Sequence, residues 1–230
     1  MPNLPRGAMP SPRSALAAAM PHQIVGTTPP QFIHIPGELS FWDNSQYGDC
    51  VTAEEAFAKA CHQSEIFIPQ NTVVAWAQAH NVLNGAYLNA VLEMMVNGGF
   101  EQGGHTYDDG TAHTVDWTNA AVLNNAIFTN CPVKIGVAAD QLDNVVTPGR
   151  NGWIATGFNP DKAEDHCVSL CGFGPMGWLA EQLRSQDRPP NPAAHGYAMF
   201  TWNSIGVIDA QSMVNITEEA WVRVPTTVIR

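Results

Sequence analysis

A cysteine delivered by a polar turn to the start of an amphipathic helix constrains this chain more than any other feature. The turn is Asn44-Ser45-Gln46-Tyr47-Gly48-Asp49-Cys50, and Ala53, Ala56, Phe57, Ala60 and Cys61 then recur at helical spacing. That spacing predicts a helix from about Asp49 to His62 with one buried face. Asp49 is a good N-cap, which puts Cys50 in the first turn. Free backbone N–H groups and the positive end of the helix dipole favour thiolate over thiol there. Read alone, Cys50 is a buried helix cysteine. Two later stretches, Glu164 to Gly174 and Tyr197 to Gly206, look like its partners.

The bulk properties narrow the function classes. The chain has 230 residues, enough for a full core in one domain or two lobes. Charged residues make up only 13%, about half the usual share of roughly 25%. The formal net charge is −11, which argues against nonspecific binding to nucleic acid or to an anionic membrane. No apolar run reaches the roughly 20 residues of a membrane span. Ala15 to Met20 after Arg6 and Arg13 only faintly echoes a signal peptide, being short and flanked by prolines. The compartment stays open, with a cytoplasmic one favoured. The five cysteines, Cys50, Cys61, Cys131, Cys167 and Cys171, show no zinc spacing and are read mainly as small buried apolar residues.

Along the chain, residues 1–36 form a proline-rich arm, expected to be partly disordered or laid over the surface, and a docking segment for a protein partner or a propeptide in the functional readings. Residues 37–230 form the folded domain. Helices are expected over Thr72 to Leu83, Tyr87 to Val96 and Trp117 to Thr129, with Gly98-Gly99 ending the second of these. Glu101 to Asp116 reads as a solvated polar loop; its His105, Asp108, Asp109, His113 and Asp116 match no defensible metal spacing. Strands follow at Val133 to Val137, Gly152 to Thr156, His166 to Phe173, Tyr197 to Trp202 and Ala220 to Val224. Gly174 to Ala194 reads as a surface excursion. Helices first and strands later predict an α+β fold, with a helical lobe over about 41–116 and a β-rich lobe over about 117–230.

Five stretches in this order resemble the papain-like cysteine peptidases. Gly48-Asp49-Cys50 resembles the nucleophile segment, and Asn84-Gly85-Ala86 the Asn-Gly-Gly stretch beside the cleft. Ala121 to Ile127 with Pro132 to Val137 resembles the helix and strand before the histidine. Asp165-His166-Cys167-Val168 resembles the Asp-His-Ala-Val segment, and Asn203-Ser204-Ile205-Gly206 the Asn-Ser-Trp-Gly segment. The likeness spans about Phe41 to Val224 and implies a two-lobed fold, a helical lobe followed by an antiparallel β-sheet or barrel lobe. The chain departs from the pattern in having Val51 after the cysteine, Ile205 after Asn-Ser, and Tyr47 where a disulfide cysteine is usual.

The resemblance implies a cysteine peptidase acting on peptide or protein substrates, with no metal or organic cofactor. Cys50 is then the nucleophile, His166 its base and later acid, and Asn203 the orienter of the imidazole. Asn44, aligned without a gap, or Gln46, with the longer reach, joins the Cys50 N–H in the oxyanion hole. Gly85 and Ala86 would hold substrate backbone, with Asp165 tuning or steering beside the histidine. Strand alternation independently places His166 with Val168 and Leu170 on one face, so the imidazole needs a polar partner or a cleft. Two rival readings share these residues: acyl transfer to an amine, and a papain-fold binding or structural protein without activity.

Overall fold

The computed structural model describes residues 4–230, so the first three residues of the arm, Pro2 included, lie outside it. From residue 4 the arm is laid across the molecule and carries β1 (Ala8–Met9), the one-and-a-half-turn α1 (Arg13–Ala18) and β2 (Phe32–Ile33). The helical half follows with α2 (Cys50–Ala60), α3 (Gln70–Ala79), β3 (Ala86–Tyr87) and α4 (Leu88–Met95). The apolar stripe of α4, Leu88, Val91, Leu92 and Met95, is buried as its spacing requires. Next come β4 (Phe100–Gln102), β5 (His105–Asp108) and β6 (Thr111–Thr114), then α5 (Ala120–Asn130), whose cap Asn119 accepts the Ala121 and Val122 N–H groups. The remainder is β7 (Val133–Val137), β8 (Ile154–Ala155), β9 (His166–Pro175), α6 (Met176–Gln182), β10 (His195–Thr201), β11 (Ser204–Asp209), α7 (Ala210–Ile216), β12 (Thr217–Val224) and β13 (Val228–Ile229).

One eight-stranded, mostly antiparallel sheet organises this mixed α+β molecule. Its order is β6-β12-β7-β9-β10-β11-β8, with β2 added against β9. Period-two alternation divides β9 between two cores. Cys167 and Cys171 face the helical half, where they join Phe57, Leu88 and Leu92. Val168 and Leu170 face the other way, into the core with Leu123 and Ile127 of α5 and Ile216 of α7, and Phe173 joins them because the pairing with β10 shifts by one residue between Leu170 and Gly172. Phe57 of α2 stacks flat on Phe200 of β10, centroids 3.9 Å apart, which seats the cysteine-bearing helix on the sheet.

Two expectations are corrected. Glu101 to Asp116 is not a solvated loop but three short strands: β5 pairs with β4 and β13, and β6 joins the large sheet at β12. Asp108 and Asp109 are 1% and 2% exposed there. They are drawn inward by cations no local pattern could reveal: Lys59 donates to Asp108 O at 2.8 Å and pairs with Asp109. Gly174 to Ala194 is likewise more than a surface excursion, because α6 buries Met176, Leu179 and Ala180 in the helical-side core.

Asp109 belongs to a fully buried charge network between the halves. Glu55 of α2 pairs with Lys134 of β7 and with Arg223 of β12, the latter at 3.0 Å, and Arg223 also reaches Asp109 at 3.8 Å. Lys134 donates further to Val51 O at 3.0 Å. All of these side chains are without solvent exposure, so removing one partner would leave a buried polar group uncompensated. Among the described residues no helix is long and apolar enough to cross a membrane.

Candidate active site

Cys50 opens α2, as its place after the polar turn predicts, and is 1% exposed. Asp49 holds the cap position, but its carboxylate makes no capping hydrogen bond. Burial pushes the Asp49 carboxyl up to about 8, so it is largely neutral at pH 7 and adds little repulsion towards a thiolate. The Cys50 thiol is itself pushed up to about 12, again by burial, although the neighbouring backbone N–H groups of Cys167 and Gly7 favour the anion. Cys50 shares the helical-side core with Cys167, the second residue of β9.

His166 is 1% exposed. Its Nε2 lies 2.8 Å from Thr201 Oγ1, and its Nδ1 has no hydrogen-bond partner among the described residues. The indole of Trp202 stacks on the imidazole, centroids 4.4 Å apart and planes 18° apart. Burial, and then the nearby Arg6 cation, lower the imidazole to about 3, so it is neutral at pH 7. Neither the Cys50 thiol nor the His166 imidazole is therefore ionised at pH 7 in this arrangement.

The arm is packed beside this region. Gly7 packs so closely on Gly48 that a Cβ added to it would lie 1.8 Å from Gly48 O. Gly7 O accepts the Ala86 N–H at 2.8 Å, Ala8 N–H donates to Asp165 O at 3.1 Å, and Ala8–Met9 pairs in parallel with Ala86–Tyr87. Gly85, at φ +134°, lies 3.3 Å from Gly7 O as measured from an added Cβ, a close approach that suits glycine. Arg6 is gripped by three carboxylates: Asp140 at 2.6 Å, Asp143 and Asp165. The segments expected to hold substrate backbone therefore hold the chain's own residues 6–9.

The two oxyanion candidates lie in different places. Asn44 is 3% exposed, and its Nδ2 donates to Tyr47 O at 3.1 Å and to the arm's Pro5 O at 3.4 Å. Gln46 is exposed and turned away, donating to Asp43 Oδ1 at 3.2 Å. Asn203 does not reach the histidine. It occupies the β10–β11 hairpin turn, where Trp202 and Asn203 have φ of +43° and +56°. Asparagine tolerates that backbone, which explains its presence in the turn. The imidazole's partner is instead Thr201, the last residue of β10. Sequence reasoning passed over Thr201, Trp202, Arg6, Gly7, Asp140 and Asp143. The indole missing after Asn-Ser was a usable signal, since Trp202 stands two residues before that serine. All five cysteines are free thiols. Among the described residues no group of three or more His, Cys, Asp or Glu side chains is placed to hold a metal.

No protein-family model matches the chain, and no curated protein sequence matches it significantly. Solved structures do match. Xylellain, a cysteine protease from Xylella fastidiosa, aligns over 97% of this chain and 98% of its own at TM-score 0.63 and 12% identity. Procathepsin B S9 from Trypanosoma congolense aligns over 95% and 86% at TM-score 0.61 and 9% identity. Procathepsin L 3 from the larval midgut of Tenebrio molitor aligns over 89% and 73% at TM-score 0.59 and 10% identity. The chain is thus similar to papain-like cysteine proteases in its fold.

Proposed function

We propose that this papain-like fold is a cysteine peptidase whose nucleophile is Cys50 and whose base is His166, and that the arm holds it in a closed, unreactive state. The observation that carries this reading is the extended peptide already lying beside Cys50, packed on Gly48 and hydrogen-bonded through its backbone to Ala86 and Asp165. A groove that takes residues 6–9 in this way suits the backbone of a peptide substrate.

With the arm displaced, water reaches Cys50 and His166 and relieves the burial that keeps both neutral. The proton of Cys50 passes to His166, giving thiolate and imidazolium. The thiolate attacks the substrate carbonyl, and the oxyanion is met by the Cys50 N–H, free in the first helical turn, and by the Asn44 amide once Pro5 O has left it. His166 returns its proton to the leaving amine as the C–N bond breaks, leaving a thioester on Cys50. Water, deprotonated by His166, then releases the acid and regenerates the thiol.

The test is cleavage of a mixed fluorogenic peptide set by a Gly7→Val chain, compared with the same chain carrying Cys50→Ala. We expect the second substitution to lower kcat by about 10³-fold or more, and mass spectrometry to find an acyl group on Cys50 in the first. Transfer of that acyl group to an added amine in preference to water would reassign the enzyme to acyl transfer. Alkylation of Cys50 without any cleavage would leave the fold as a binding protein. A further expected result concerns the oxyanion: Asn44→Ala in the Gly7→Val chain lowers kcat by about 10²–10³-fold, and Gln46→Ala by less than about twofold, measured with one peptide. The opposite order would move the donor role to Gln46.

A further inference from the structure

We propose that Thr201 is the positioning residue for His166, with the Trp202 indole as its cover, so that the site is built on cysteine, histidine and threonine. This rests on His166 being the base of Cys50. The geometry has three independent parts. The imidazole Nε2 and Thr201 Oγ1 are 2.8 Å apart, and Thr201 has no solvent exposure, so the contact does not compete with water. The other ring nitrogen, Nδ1, is buried and without a hydrogen-bond partner among the described residues. Such an orphan is costly in a core and signals a group kept for use. Third, Trp202 adopts φ +43°, a conformation disfavoured for a bulky side chain. The hairpin keeps it, and the indole lies flat on the imidazole as a result. Backbone strain beside a titratable group points to a positioned site.

The chemistry follows from the donor inventory. With the neutral imidazole protonated at Nε2, the N–H donates to Thr201 Oγ1 and Nδ1 presents a lone pair. That is the tautomer able to take a proton from a thiol. When Nδ1 is protonated, Nε2–H still donates to the same oxygen, so the ring does not turn during the proton transfer. A hydroxyl is a neutral partner and adds no carboxylate charge beside the imidazolium. The Trp202 ring seals the contact from the sheet's far side, where it joins Val168 and Leu170 in the core.

The test uses the full chain with ¹⁵N-histidine and long-range ¹H–¹⁵N correlation. The expected wild-type result is a neutral His166 at pH 7, protonated at Nε2. Thr201→Val should give a mixed or inverted tautomer, and Thr201→Ser should restore the wild-type pattern. In the Gly7→Val background, Thr201→Val should lower kcat by about 10–100-fold with KM within about twofold, with rescue by Thr201→Ser. Asn203→Ala should leave the tautomer unchanged. A wild-type imidazole protonated at Nδ1 overturns the proposal, as does an Asn203→Ala chain that shifts the tautomer while Thr201→Val does not. If Cys50→Ala leaves peptide cleavage intact, the peptidase reading fails, and the tautomer experiment still judges the placement of Thr201. Should Thr201→Val fail to fold, Thr201→Ser against Thr201→Ala gives the same comparison of hydroxyl present against hydroxyl absent.

Discussion

Replacing Gly7 with valine is expected to raise the rate at which iodoacetamide alkylates Cys50 by about 10–100-fold. Cys50 is 1% exposed, so in the wild-type chain the reagent must wait for the arm to leave. Gly7 lies against backbone, with Gly48 O 1.8 Å from where a Cβ would stand, and backbone does not yield as a side-chain end would. Forcing atoms into so tight a contact costs about 1–3 kcal/mol, and each 1.4 kcal/mol is tenfold in the open population. Arg6→Ala should act in the same direction through a different contact. It removes a guanidinium held by Asp140, Asp143 and Asp165 and leaves those three carboxylates facing one another. Because Asp140 is largely exposed, the effect of Arg6→Ala should shrink as salt rises, whereas that of Gly7→Val should not. Peptide mapping after alkylation reads Cys50 apart from the half-buried Cys131. An unchanged Cys50 rate in both variants would mean that the arm does not govern access to the sulfur.

Glu55→Ala is expected to lower the unfolding free energy by about 3–5 kcal/mol, the usual cost of breaking a buried ion pair from one side. Glu55 alone pairs with both Lys134 and Arg223, and none of the three side chains touches water. Its loss leaves Lys134 without a carboxylate partner and Arg223 with only the longer 3.8 Å contact to Asp109. In a chain of this length each kcal/mol shifts Tm by about 2–4 °C, so the melting point should fall by roughly 6–20 °C. The network also ties the helix carrying Cys50 to β7 and β12, with β7 the direct neighbour of β9 and His166. Urea titration of wild type and variant decides the matter. A loss under about 1 kcal/mol would mean that the network is dispensable, as a well-packed apolar replacement of a whole network can be.

The amino-acid sequence by itself determined the elements whose cause is local. Cys50 at a helix start, the apolar stripe of α4, the Val133–Val137 strand and the alternation that puts His166 with Val168 and Leu170 all follow from spacing of 3.6 or 2.0 residues. The order of the motifs carried the papain-like fold without any one motif being strong. What escaped has causes distant in sequence. Glu101 to Asp116 looks solvated because its charges have no nearby partner, yet Lys59 and Arg223 reach them from 49 residues upstream and over a hundred downstream. Asn203 matched a motif by type, but a hairpin turn with two positive φ values took it, and Thr201 at the strand end faces the imidazole. The arm is the clearest case. Its prolines predict only that it is extended, since proline fixes φ and says nothing about what lies beneath. That residues 6–9 are laid on Gly48, Ala86 and Asp165, beside Cys50, was decided by tertiary structure. It depends on Gly7 meeting Gly48, and on Arg6 meeting carboxylates more than 130 residues away.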